Sequence, residues 1–225
     1  MITRSLTCAD DVLRRAAWTT QTGQAWRALT QLTACVVVFG FLYGSAMGTF
    51  RAWTGAEQWG LQMLYSAVKV PVLLIATFTV SLPSFFVLNT LLGLRNDFGE
   101  SLRALIATQA GLAIILASLA PLTMLWYAST DNYARAVPLN ALMFAVASFG
   151  GQWLLRGYYR SLIARNRHHQ WLMWAWIVVY AFIGIQMGWV LRPFVGSPRE
   201  DVQFFREEMW DNAYVVVASW LFSSG

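Results

Sequence analysis

LTQLTACVVVFGFLYGSAMGTF, residues 29–50, carries no charged side chain over 22 consecutive positions. A helix needs about 20 predominantly apolar residues to cross the hydrocarbon of a bilayer. Four further stretches meet that need: 67–92, which contains Pro71 and Pro83; 104–128, with Pro121 near its far end; 136–155; and 171–191, stopped by Arg192-Pro193. Their apolar residues run continuously, whereas barrel strands alternate, so helices are expected. The first run is of full spanning length and begins only near Leu29, so it reads as a retained span and not as a cleavable signal. The expected fold class is all-α, a polytopic membrane helix bundle with about five transmembrane helices.

Composition points the same way. Hydrophobic residues make up 57% of the 225 positions and charged residues only 12%, against roughly 25% charged in soluble domains. Twelve Trp, eight Tyr and 14 Phe suit a chain that meets two lipid–water boundaries. The net charge of +5 reads as basic loops holding the cytoplasmic side, so nucleic acid is not an expected partner. Cys8 lies in a polar leader and Cys35 in an apolar run; no pairing between them and no metal-type spacing is expected.

Loop charges set an expected orientation. The leader, the connection between spans two and three, and the connection between spans four and five hold ten basic residues; the opposite side holds six. The N-terminus is therefore expected in the cytoplasm and the C-terminus outside. Trp53, Trp59, Trp126 and Trp189 then mark one boundary, with Trp153, Trp171 and Trp174 at the other. The chain divides into a leader over 1–28, with a weak amphipathic helix from about Asp10 to Arg27, a transmembrane domain over 29–191, and an outer-face tail over 192–225. In the tail, Ser197-Pro198-Arg199-Glu200 has the form of a capping box. It opens an expected amphipathic helix, because Arg206, Glu207, Glu208 and Asp211 would each cost about 2.5–3.5 kcal/mol inside a bilayer.

Lys69 is the one acid, base or histidine inside the five spans, and it is expected to snorkel to the outer boundary. Proton relays and charge-coupled transporters need intramembrane carboxylates or histidines, so those mechanisms are disfavoured. His168 and His169 are adjacent and flanked by Arg165 and Arg167, an arrangement that repels a metal. An enzyme would need Asp97, Glu100, His168 and His169 gathered in a closed cytoplasmic pocket. No catalytic residue, cofactor or metal is expected.

Span two holds the candidate break: Pro71 and Pro83 bracket Thr77 and Ser81, and Asn89 follows. Prolines inside a spanning helix free carbonyls that neighbours must satisfy. They act as kinks or, as a second reading, mark a substrate site. Gln109, Asn140 and Gln186 are expected to make interhelical hydrogen bonds, while Gly150-Gly151 and Gly184-x-x-x-Gly188 permit close backbone approach.

The segment from Phe182 to Pro198, FIGIQMGWVLRPFVGSP, and the span-two phrase Leu82-Pro83-Ser84-Phe85 with Asn89 resemble a poorly characterised family of bacterial multi-spanning membrane proteins. Some of that family are loosely labelled Yip1-like. The resemblance runs from span two to the tail and implies a bacterial inner-membrane location; it implies no activity. Its distinctive positions are Gln186, Trp189, Arg192, Pro193, Phe194, Gly196 and Pro198. Arg192 to Pro198 reads first as a rigid elbow that sets the exit angle of the tail, and second as a surface that grips a partner. The expected function is a non-enzymatic partner or scaffold subunit, with a small-solute or lipid transporter as the alternative. Besides the lipid bilayer, the expected partners are a membrane or peripheral protein and anionic lipid. Candidate contacts are Arg156, Arg160, Arg165 and Arg167 on the cytoplasmic side, and Gln186, Trp189, Arg192, Pro193 and Phe194 on the other.

Overall fold

The computed structural model describes residues 2–19 and 25–205, and its regular structure there is helical throughout. The elements are α1 (Ile2–Leu13), α2 (Ala25–Gly48), the short α3 (Phe50–Trp53), α4 (Trp59–Leu91), α5 (Phe98–Ser129), α6 (Tyr133–Arg165) and α7 (His168–Val190). Five helices among the described residues are long and apolar enough to cross a membrane: α2 continued by α3, then α4, α5, α6 and α7. The chain is therefore an all-α bundle compatible with a multi-pass membrane protein. α2 packs against both α4 and α5; α6 lies on α5, α7 lies on α4, and α6 touches α7.

The tightest approach is between α2 and α4. Gly40, Gly44 and Gly48 recur every fourth residue, on one side of α2. A Cβ on Gly44 would overlap the Ser66 carbonyl and reach Ala67 Cα at 2.8 Å, and one on Gly48 would stand 2.5 Å from Met63 Cα. Small residues let backbones meet where lipid offers no hydrophobic drive toward association. Gly150 and Gly151 do seat α6 on Ile115 and Leu112 of α5, yet a Cβ on Gly184 meets only ordinary contact and one on Gly188 meets nothing.

Uncharged polar residues tie the core. Gln109 Nε2 donates to the Leu74 carbonyl at 3.0 Å and pairs with the Tyr180 hydroxyl at 2.6 Å. Tyr43 donates to Asn140 Oδ1 at 3.2 Å, and Asn140 Nδ2 pairs with the Tyr127 hydroxyl at 2.5 Å. These bonds join α4, α5 and α7 in one case and α2, α5 and α6 in the other, as expected for interhelical amides.

Two expected elements differ. Span two is not broken, because α4 runs unbroken through Pro71 and Pro83. Pro71 is buried in the α2 contact, where its Cα stands 3.3 Å from the place of a Gly40 Cβ. The leader helix lies earlier than expected, ending at Leu13, and Arg15 just beyond it has a left-handed φ of 56°. That backbone region stops an α-helix. α1 packs on α5 and α2, with its Val12 carbonyl accepting from the Tyr158 hydroxyl at 2.9 Å.

Candidate functional site

Polar side chains gather at the two ends of the bundle, and the ends differ. The elbow face carries the α3–α4 and α5–α6 connections together with residues 191–205. The Arg-rich face carries α1 and the α4–α5 and α6–α7 connections.

On the elbow face the backbone of 193–200 is held carbonyl by carbonyl. Lys69 Nζ donates to the Pro193 carbonyl at 2.7 Å. The Phe194 carbonyl accepts from Gln62 Nε2 at 3.0 Å and from the Ser66 hydroxyl at 2.5 Å. Tyr133 donates to the Val195 carbonyl at 3.2 Å. Arg51 Nη1 donates to the carbonyls of Ser197 and Glu200, each at 2.7 Å, while its Nε and Nη2 hold the Glu57 carbonyl. Irregular backbone at a membrane end needs such partners, since its N–H and C=O groups cannot bond one another as in a helix.

Lys69 therefore does not snorkel. It is fully buried, with its ammonium 4.9 Å from the Phe204 ring centroid and 6.0 Å from that of Phe194. Cation–π attraction and a charge-assisted hydrogen bond replace the water it has lost. Gly196 fits against this cup because a Cβ there would come within 2.8 Å of Gln62 and Arg51 side-chain atoms. The capping box does not open a helix: Pro198 and Arg199 form a turn, and 201–205 are non-helical. In that turn the Glu200 N–H points to the Ser197 carbonyl at 3.4 Å and the Arg199 N–H to the Ser197 hydroxyl at 3.3 Å. The rest of the expected amphipathic helix, 206–225, lies outside the described residues.

Arg192, Pro193 and Phe194 thus form an internal joint. The Arg192 guanidinium stacks on the Trp189 ring at 3.5 Å, and Gln186 and Trp189 are half-buried on α7.

On the Arg-rich face, Arg165 is exposed and paired with acids. It bonds Asp97 at 3.3 Å and Glu100 at 2.5 Å, and His169 Nε2 stands 3.1 Å from the second Asp97 oxygen. This clamp ties the end of α6 and the start of α7 to the start of α5. Asp97, Glu100 and His169 therefore do converge, while His168 stays exposed outside the group. Arg165 sits on both carboxylates, and the second nitrogen of His169 is buried without a hydrogen-bond partner. Geometry of this kind holds the three helix ends together. Among the described residues no three His, Cys, Asp or Glu side chains form a metal site.

Arg156 and Arg160 remain exposed, Arg156 lying over the Trp174 ring at 5.0 Å. With Arg15 they line an open cavity of about 470 Å³. Arg167 is exposed in front of α7. Of the span-two residues, Thr77, Ser81 and Asn89 are buried. Ser81 donates to the Thr77 carbonyl at 2.7 Å, whereas the Thr77 hydroxyl and both side-chain polar atoms of Asn89 have no partner.

The two cysteines do meet, against expectation. Cys8 Sγ lies 2.6 Å from Cys35 Sγ across the α1–α2 contact. The hydrogen bond from Cys35 holds the Cys8 thiol below its ordinary range, outweighing burial and the nearby Asp11 carboxylate.

Sequence reading missed Arg51, Gln62, Ser66 and Tyr133 as holders of the elbow, and Arg15 as the third cation of the groove. Nothing in their local patterns marks them. The Gly40-x-x-x-Gly44-x-x-x-Gly48 spacing did mark the α2–α4 contact and was available. Comparison of the chain with family models, curated proteins and solved structures found no match.

Proposed function

We propose that this chain is a non-enzymatic, multi-pass protein of the bacterial inner membrane, serving as a membrane-embedded partner or scaffold subunit of a larger assembly. In this reading the N-terminus faces the cytoplasm and the C-terminus the periplasm, as the ten-to-six distribution of basic residues favours. The observation that carries the proposal is α7. Only 11% of its most apolar window is buried. Trp171, Trp174, Val178, Phe182 and Ile185 recur at helical spacing along its exposed side. The elbow fixes the end of that helix through bonds made inside the bundle, so α7 presents a rigid apolar face beside an open Gly188. A partner helix could approach closely there.

The test is purification from native membranes in mild detergent after photo-crosslinking from Phe182 and Ile185. A stoichiometric protein adduct from those positions, and none from Leu142 on α6, supports the proposal. A solitary monomer that crosslinks only to lipid from all three positions contradicts it. The alternative is solute or lipid passage along α4. It draws on the unpartnered Thr77 hydroxyl and Asn89 amide, which is the polar equipment a wet path would use. Their close burial weighs toward the partner role.

A further inference from the structure

Leu142, Val146, Phe149 and Trp153 follow one another at helical spacing along the exposed side of α6. The same side continues into Arg156 and Arg160. An exposed apolar stripe ending in cations is how a helix passes from hydrocarbon to headgroup level. Here a third cation arrives from a different element. Arg15 leaves α1 through a left-handed φ of 56°, a conformation uncommon for any residue but Gly, and it reaches over α6. Its guanidinium rests on Gly157, where a Cβ would overlap it.

The acids nearest to Arg15 in sequence have other partners. Asp10 is engaged by Arg14 at 2.7 Å and Asp11 by the Trp18 indole at 3.0 Å. Among the described residues no carboxylate forms an ion pair with Arg15, Arg156 or Arg160. Like charges held around one cavity of about 470 Å³ repel one another unless an anion sits between them. Stacking on Trp174 orients Arg156. The lining also includes Leu13 and Trp153, which are exposed.

We propose that this groove binds the phosphate of an anionic phospholipid. Arg15, Arg156 and Arg160 donate to the phosphate oxygens, and an acyl chain lies along Trp153, Phe149, Val146 and Leu142. A soluble phosphate offers the same oxyanion chemistry but makes no use of the stripe, which is why a lipid is the assigned source. The inference shares the bilayer reading with the proposed function and is independent of any protein partner.

The test uses the full chain reconstituted in phosphatidylcholine vesicles containing phosphatidylglycerol, with bound lipid read by native mass spectrometry after gentle extraction. Wild type is expected to retain phosphatidylglycerol over phosphatidylcholine. R15Q/R156Q/R160Q should lose that preference by at least roughly tenfold, because charge-assisted bonds to the phosphate go. R27Q/R95Q/R167Q removes equal charge from the same face and should keep it. G157A removes no charge but displaces the Arg15 guanidinium, and should weaken retention several-fold. It also serves as the folding-neutral test should the triple variant misfold. Equal loss in both triple variants, or no effect of G157A, overturns the site in favour of diffuse attraction. Displacement of phosphatidylglycerol by millimolar inorganic phosphate overturns the lipid as source. Carbonate extraction of each variant reports membrane integration separately, so a failure here is distinguishable from a failure of the bilayer reading.

Discussion

Arg51 and Lys69 on the elbow face and Arg15, Arg156 and Arg160 on the Arg-rich face are the same kind of side chain with opposite fates. The first pair is buried and grips backbone carbonyls. The second set is exposed around an open groove. A cation near a membrane boundary can thus be an internal fastener or an outward receptor, and its backbone neighbours decide which. Where the chain turns irregularly at a bundle end, as at 193–200, carbonyls need donors and draw cations inward. Where a bundle end is regular helix, as at the Arg-rich end of α6, carbonyls are already satisfied within the helix and Arg156 and Arg160 face out.

That contrast is broken most directly at Arg51. R51M removes the side-chain donor from the carbonyls of Glu57, Ser197 and Glu200, leaving Ser197 only its long contact with the Glu200 N–H. An orphaned buried acceptor costs about 1–3 kcal/mol. These bonds are part-buried, at exposed Glu57 and Glu200 and half-buried Ser197, which puts each at the low end. About 3 kcal/mol of stability should therefore be lost, read by thermal unfolding in detergent. Trypsin should also cut faster after Arg199 in R51M. R156Q, by comparison, should leave unfolding unchanged within about 0.5 kcal/mol.

The glycines sharpen the same comparison inside the bundle. G44A forces α2 away from the α4 backbone and should cost about 2–3 kcal/mol as an overpacked contact. G188A adds a methyl to open space and should be neutral within about 0.5 kcal/mol. Equal effects in the same unfolding assay would remove the α2–α4 seam from its central place.

On the Arg-rich face, D97N weakens the contacts to both Arg165 and His169. The ion pairs are partly exposed, where each contributes about 0–1 kcal/mol, so the loss should be small and should shrink further in high salt. A loss equal to that of R51M would show that both faces are fastened alike.

The smallest structural effect concerns the cysteines. Diamide should oxidise Cys8 and Cys35 to an intramolecular disulfide, two electrons and two protons passing to the reagent. Free-thiol counts then fall from two to none without dimer formation. Because the Cys35 bond lowers the Cys8 thiol, its thiolate persists to lower pH than an ordinary thiolate does. Maleimide labelling of Cys8 should accordingly extend to lower pH, and C35A should move its midpoint upward. An unmoved midpoint would deny the contact.

The five spans were legible because spanning requires only length and apolarity, which are local properties. Which side chains meet is not local. Lys69 stands 124 positions from the carbonyl it holds, and no pattern around it separates that fate from snorkelling. Pro71 and Pro83 read as a break because proline removes a backbone bond, yet packing on Gly40 accompanies an unbroken α4. Asp97 and His169 stand 72 positions apart, and only the fold brings them to Arg165 and leaves His168 outside. Ser197 to Glu200 has the residues of a capping box, but Arg51 takes the carbonyls of Ser197 and Glu200, and the turn there does not become a helix.

Lipid as the medium around five crossings is tested most directly by cysteine accessibility in sealed vesicles. S129C lies at the end of α5 and N166C between α6 and α7, both placed in a Cys8→Ser/Cys35→Ser background. Only α6 separates them, so its single crossing puts these two positions on opposite sides. One should therefore react with a membrane-impermeant maleimide at once and the other only after permeabilisation. Labelling of both from the same side, or a chain that stays monodisperse in buffer without detergent, would contradict it.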